Sequence, residues 1–239
     1  YVVDARQSLH FQQVFAVARA AGFSTQDLSL EHVSYGTMMG KDGRPFKTRS
    51  GDTVKLAELL EEAKQRAYDL VTEKNPALPV SQRREIAERV GIGAVKYADL
   101  SKNRTSDYIF DWSTMLSFEG NTAPYLLYAY ARIKSILRKA PEGSYDTIRS
   151  LSEHEERTLC LKMLQLAETV EAVDRDCMPN QLCNYLYELS GLFMKFYENC
   201  PILKAESSQS ESRLALCRLT AETLQQGLGL LGITPLEQM

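Results

Sequence analysis

Three residues in this chain have the types and spacing to hold an unstacked base. Tyr125, Tyr128 and Arg132 fall at i, i+3 and i+7 of a stretch with helical periodicity, so two aromatic planes and a guanidinium fork share one edge of that helix. Rings so placed can stack on a nucleobase while the fork hydrogen-bonds its edge or its phosphate. The same spacing also suits ordinary amphipathic packing with tyrosine hydroxyls at the rim. A second candidate is the stretch 40–51, where Gly40, Gly43, Gly51 and Pro45 accompany Lys41, Arg44, Lys47 and Arg49 against Asp42. A glycine-rich, locally positive loop suits phosphate, although no Walker-type spacing follows it and a solvated loop has the same composition. A third is Gln7, whose amide could hold a polar substrate without ion pairing, or could be an ordinary loop residue.

Each candidate needs an element behind it. Thr122 caps a helix predicted over about 123–140, with Pro124 in the first turn, where its missing N–H is harmless. Leu126, Ala129, Tyr130, Ile133, Ile136 and Leu137 form its packing face. Gln7 follows a short strand, residues 1–4, and precedes a helix over about 9–21 with Phe11, Phe15 and Ala18 on one face. That is half of a nucleotide-binding α/β unit, in which ligands sit at the carboxyl ends of strands. The glycine-rich loop follows a strand predicted at 30–39, in which Gly36 marks a bend or the close approach of another backbone.

From there on the pattern is helical. A long helix over about 54–73 is followed by one capped by Ser81 and stopped by Gly91, then a short one over about 93–101, together a helical connector. Lys96, Lys102, Asn103 and Arg104 near its end suit either an RNA contact or a plain solvated turn. Beyond the central helix, Ser152 and Glu155 form a capping box for a helix to about 175, and two more helices cover about 180–198 and 210–231. Four amphipathic helices with short or medium loops make a bundle. We therefore expect two domains, an α/β part with its helical connector at 1–117 and an all-α part at 118–239, mostly helical overall.

With 44% hydrophobic and 25% charged residues the composition is that of a globular protein. A formal charge of −3 supplies no global field for nucleic acid, so any RNA contact must use local patches. No apolar run approaches the ~18 residues of a membrane span. Five cysteines without a C-x-x-C pair or a neighbouring histidine read as reduced, buried thiols in a cytoplasmic protein, with no structural metal.

Several motifs resemble one family. Asn121-Thr122-Ala123-Pro124-Tyr125, running into Tyr128-Ala129-Tyr130-Ala131-Arg132, resembles the start of the anticodon-binding domain of arginyl-tRNA synthetases. Val3-Asp4-Ala5-Arg6-Gln7 followed by His10-Phe11-Gln12-Gln13 is similar to a segment of the same enzymes. That likeness implies that Gln7 contacts arginine and that His10 and Gln13 face the nucleotide. Phe46-Lys47-Thr48-Arg49-Ser50-Gly51 resembles a degenerate form of the class I signature loop, which implies that Lys47, Thr48 and Arg49 bind ATP. It leaves open whether Lys47 or Arg49 supplies the main charge for the departing pyrophosphate. Gly93-Ala94-Val95-Lys96-Tyr97 and Asp107-Tyr108-Ile109-Phe110-Asp111-Trp112 also recur in the family. Tyr197 and Met239 match positions that line the pocket of the middle anticodon base, beside Tyr125, Tyr128 and Arg132.

The resemblance covers essentially the whole chain and implies the C-terminal half of such an enzyme: the later part of a Rossmann-like catalytic domain, then the anticodon-binding bundle. The parent reaction would be activation of L-arginine with ATP and Mg2+ as substrate, then transfer to tRNA(Arg), by a monomer that uses neither DNA nor membrane. The family's His-x-Gly-His motif is absent from these residues, so the chain alone is not expected to aminoacylate. A tRNA-binding module without catalysis and a helical protein-interaction domain are the alternatives.

Overall fold

A computed structural model describes residues 1–45, 55–143 and 145–239. The chain divides into two compact units, one of Tyr1–Thr53 with Lys102–Asp111, the other of Val54–Ser101 with Trp112–Met239.

The first unit is built on short parallel strands. β1 (Val2–Asp4) runs through a single 3-10 turn, Ala5–Gln7, into α1 (Ser8–Ala20) and returns as β2 (Val33–Tyr35). β1 and β2 pair in parallel, Val2 opposite Val33 and Asp4 opposite Tyr35. An aromatic cluster holds α1 on this pair: the Tyr1 ring lies 5.4 Å from Phe11 and 5.3 Å from Phe15, and Phe11 stacks on His32 at 4.9 Å. β3 (Met38–Met39) pairs in parallel with β4 (Tyr108–Ile109).

The strand expected over 30–39 is thus two strands interrupted at Gly36 and Thr37. A Cβ on Gly36 would stand 2.4 Å from the Ser106 carbonyl oxygen, so this backbone approach requires glycine. The Gly36 amide donates to the Arg104 carbonyl at 2.9 Å and the Thr37 amide to the Asp107 carboxylate at 2.6 Å, which diverts the chain from a continuous ladder.

The second unit is helical among its described residues. It comprises α2 (Leu56–Lys74), α3 (Val80–Leu100), the short α4 (Trp112–Met115), α5 (Ala123–Lys139), α6 (His154–Leu164), α7 (Leu166–Asp176), α8 (Pro179–Asn199) and α9 (Ser207–Leu230). α2 and α3 form an antiparallel hairpin that buries Ala63, Ala67 and Val71 against a face carrying Ile86, Ala87 and Val90. The Arg66 guanidinium lies 4.9 Å over the ring of Trp112, tying α4 to α2. Leu126, Ile133, Leu159, Leu186, Leu189, Phe193 and Leu224 are fully buried in one core shared by α5, α6, α8 and α9.

Three helix boundaries differ from the sequence expectation. α3 does not stop at Gly91 but runs through both Gly91 and Gly93. A Cβ on Gly91 would lie 2.7 Å from the Ala63 carbonyl oxygen, so the residue that reads as a stop is a contact point for α2. The helix expected up to 175 is α6 and α7, separated at Gln165, and both pieces pack on α8. The capping box uses Glu153 and Glu156, one residue on from the expected pair. Glu156 is turned inward, where its carboxylate meets the buried Arg213 guanidinium at 2.6 Å.

Of the cysteines, Cys183, Cys200 and Cys217 are buried as expected, but Cys160 and Cys177 are only half-buried. Among the described residues no helix is long and apolar enough to cross a membrane, and no group of three His, Cys, Asp or Glu could hold a metal.

Candidate nucleic-acid interface

The start of α5 sets the site's frame. The Thr122 hydroxyl oxygen accepts from the Tyr125 amide at 3.3 Å and donates to the Ser117 carbonyl at 2.7 Å, so one side chain caps the helix and ties down the preceding joint. Burial of Leu126, Leu127, Ala129, Tyr130 and Ile133 then fixes the helix in rotation. Tyr128 is left 41% exposed, enough to meet a ligand.

α8 lies beside α5 and runs in the same direction. Asn121 donates to Asn184, Tyr125 meets Tyr187 and Arg132 meets Tyr197, so partners rise together along both helices. This register gathers Tyr128, Arg132 and Tyr197. The Arg132 guanidinium carbon lies 5.4 Å from the Tyr128 ring centroid and 4.9 Å from that of Tyr197, one cation on two aromatic faces. Tyr197, 37% exposed, is backed by the fully buried Phe193, whose ring is nearly parallel to it at 6.4 Å. Tyr125 is drawn elsewhere. Its ring meets Tyr187 edge-on at 5.5 Å, and burial raises its hydroxyl pKa above the ordinary tyrosine value. The predicted stripe therefore splits, because α8 places a tyrosine opposite each end of it.

Met239 reaches the same neighbourhood on a strapped segment. Gly232 ends α9 with φ +69°, and its carbonyl accepts from the Lys96 ammonium at 2.5 Å. Ile233 and Leu236 are buried, and a Cβ on Gly93 of α3 would already press on Ile233 at 3.3 Å. Lys134 pairs with the Glu237 carboxylate at 2.9 Å, and Arg138 donates to the Glu237 carbonyl at 2.9 Å. Met239 and Tyr128 then line one cavity of about 350 Å³, together with Phe118, with Val71, Lys74 and Asn75 at the end of α2, and with Ile86 of α3.

In the first unit Gln7 closes the 3-10 turn at the carboxyl end of β1, where the α/β pattern predicts a ligand. Gln7, His10 and Gln13 are all exposed, and the His10 ring packs edge-on against Phe11 at 5.6 Å. Beside them Asp4 accepts from the Arg6 side chain at 2.8 and 2.6 Å, which lowers its pKa to about 2. Lys47, Thr48 and Arg49 lie outside the described residues. The approach to them is described: the Gly40 amide donates to the Arg44 carbonyl at 2.7 Å, and Lys41 pairs with Asp111 at 2.5 Å.

Three of the four polar residues at the connector's end, Lys96, Asn103 and Arg104, have internal partners. Lys96 holds the Gly232 carbonyl, Arg104 donates to the Ser34 carbonyl, and the Asn103 side chain accepts from Thr105. Sequence reasoning assigned no role to Lys74, Asn75 or Phe118 in the cavity wall. No sequence signal singles them out, since they join Tyr128 and Met239 only through the packing of the second unit.

Residues 1–112 match the catalytic domain of class I tRNA synthetases (R), and residues 126–239 match the DALR anticodon binding domain. Arginine–tRNA ligases of Laribacter hongkongensis and Chromobacterium violaceum are 59% and 58% identical to the chain over all of its length. The chain spans 42% of the length of those relatives. Among solved structures, Thermus thermophilus arginyl-tRNA synthetase superposes over the whole chain and 40% of its own, with a TM-score of 0.88 at 35% identity. The Plasmodium falciparum enzyme does so over the whole chain and 41% of its own, with a TM-score of 0.82 at 29% identity. With a class I (R) catalytic match, a DALR bundle and relatives of one kind across its full length, the chain belongs to the arginyl-tRNA synthetase family and corresponds to its C-terminal part.

Proposed function

We propose that this chain is the anticodon-reading and partly catalytic portion of a cytoplasmic, monomeric arginine–tRNA ligase, divided functionally at about residue 117. The parent enzyme activates L-arginine with MgATP and transfers it to tRNA(Arg). Its catalysis is positioning and charge stabilisation, for which no nucleophilic side chain is needed. In this reading Gln7 orients arginine, His10 and Gln13 face the nucleotide, and Lys47, Thr48 and Arg49 hold the ATP phosphates. Tyr128, Arg132, Tyr197 and Met239 receive the middle anticodon base, with Tyr125 supporting the rim through Tyr187.

The observation that carries the reading is the Arg132 guanidinium held on two half-exposed tyrosine rings. A cation fixed in this way is already oriented, so an arriving base finds a stacking surface and a hydrogen-bonding fork together. The test is binding of the chain to arginine tRNA and to the same tRNA with its middle anticodon base changed, at one fixed salt concentration. The base change is expected to cost about 1–3 kcal/mol, the size of one specific contact, and Arg132→Ala to remove that difference. Equal binding of both RNAs by the unaltered chain would refute anticodon readout. Arginine-dependent pyrophosphate exchange by the chain alone is not expected, since its sequence carries no His-x-Gly-His.

A further inference from the structure

The cavity beside Tyr128 is apolar on most of its wall. Val71, Ile86, Phe118 and Met239 offer a base nothing to hydrogen-bond through their side chains, and the Tyr128 ring offers a face. Lys74, Asn75 and Tyr128 bring an ammonium, an amide and a hydroxyl to the same lining. Lys74 is the last residue of α2, and its Nζ stands 5.1 Å over the ring of Phe118. Among the described residues it has no carboxylate partner. An ammonium on an aromatic face keeps its N–H groups free for another acceptor, and it has donors only.

We propose that Lys74 is a specificity-determining residue: it donates to an acceptor atom on the edge of a base inserted between Phe118 and Met239. This rests on the anticodon-reading proposal above and extends the site beyond the bundle. Residues 126–239 match the anticodon binding domain, while Val71, Lys74, Asn75 and Ile86 lie within the 1–112 match to the catalytic domain. The connector hairpin supplies one wall of the pocket, so the bundle by itself is an incomplete reader. An occupant seated on the apolar wall would itself shield the charged hydrogen bond from water, which would otherwise weaken it. The apolar surroundings also penalise an occupant that turns an amino group toward Lys74, because two donors then face each other.

The test uses the 239-residue chain, an anticodon stem-loop RNA of arginine tRNA, and the same hairpin with the middle base changed, each at two salt concentrations. Lys74→Met keeps the length of the side chain and removes the charge. Lys74 is exposed, and an unchanged melting curve would show that the fold is kept. The expected result is a loss of roughly fivefold or more on the parent hairpin with little loss on the altered one, so that discrimination collapses. Phe118→Leu should reduce the same ratio by removing the ring under the ammonium. Equal loss on both hairpins with a shallower salt dependence would make Lys74 a phosphate contact and overturn the proposal. Unchanged binding would overturn it too. Failure of the underlying reading looks different, since the unaltered chain would then not discriminate between the hairpins at all.

Discussion

The two candidate regions are constructed in opposite ways. At the strand end of the first unit, Gln7, His10 and Gln13 lie within one turn and the start of one helix, exposed, beside an Asp4–Arg6 pair only two residues apart. In the second unit the cavity and the guanidinium site draw on residues 74, 118, 128, 132, 197 and 239 and are held by the core of the bundle. A site built from local sequence can lose a side chain without structural loss. One assembled from distant segments depends on every contact that keeps those segments in register.

The strongest way to break the second kind of site is to attack its buried ion pair. Glu156 and Arg213 are 2% and 3% exposed, and the Arg213 guanidinium also donates to the Pro201 carbonyl at 2.7 Å. Glu156→Gln leaves that cation buried without its counter-charge and should destabilise the second unit by about 3–5 kcal/mol, read by urea unfolding. Burial alone would raise the Glu156 pKa, but the Arg213 hydrogen bond and backbone amides outweigh it and lower the value below that of a free glutamate. The stability from this ionisation is therefore present above the unfolded carboxylate pKa and lost as pH falls through the lower, folded one. Unfolding curves on the acid side should show that decline in the parent protein, and the Gln variant should lack this part of it.

A smaller effect would sharpen the comparison. Gly91→Ala puts a methyl group against the Ala63 backbone, and overpacking of this kind costs about 1–3 kcal/mol. Since α2 and α3 supply Val71, Lys74 and Ile86, prising them apart should weaken RNA discrimination along with stability, as measured on one preparation. The smallest effect belongs to the first unit. Gln7→Ala, at an exposed position, should change stability by no more than about 0.5 kcal/mol. If it changed stability as much as Gly91→Ala, the contrast between local and assembled sites would fail.

The same contrast decides what was legible in the sequence. Thr122 and Pro124 set the start of α5 as read, and α9 ends at Leu230, within a residue of its expected limit, because caps and stops are chemistry within one turn. Gly91 misled for a physical reason: a missing Cβ serves a stop and a close helix contact equally well, and only the position of Ala63 decides between them. The capping box slipped by one residue because only Ser152–Glu155 matches the local pattern, while Arg213, far along the chain, holds Glu156 inward and so favours the pair that begins at Glu153. The separation of Tyr125 from Arg132 has the same origin, since one helix wheel cannot show where Tyr187 and Tyr197 of another will stand. Lys74 and Phe118 carried no local mark because they join Met239 only in three dimensions.

The Arg66–Trp112 contact provides an optical handle. The chain has one tryptophan, and its indole lies under a guanidinium carried by α2, the helix that ends at Lys74. Red-edge excitation selects an indole over tyrosine, so the emission of Trp112 reports on the connector alone, without a label and apart from the tyrosines of the site proposed for RNA. A shift of α2 when a hairpin enters the cavity would change the quenching of that one fluorophore, making occupancy at the far end of the helix visible in a titration.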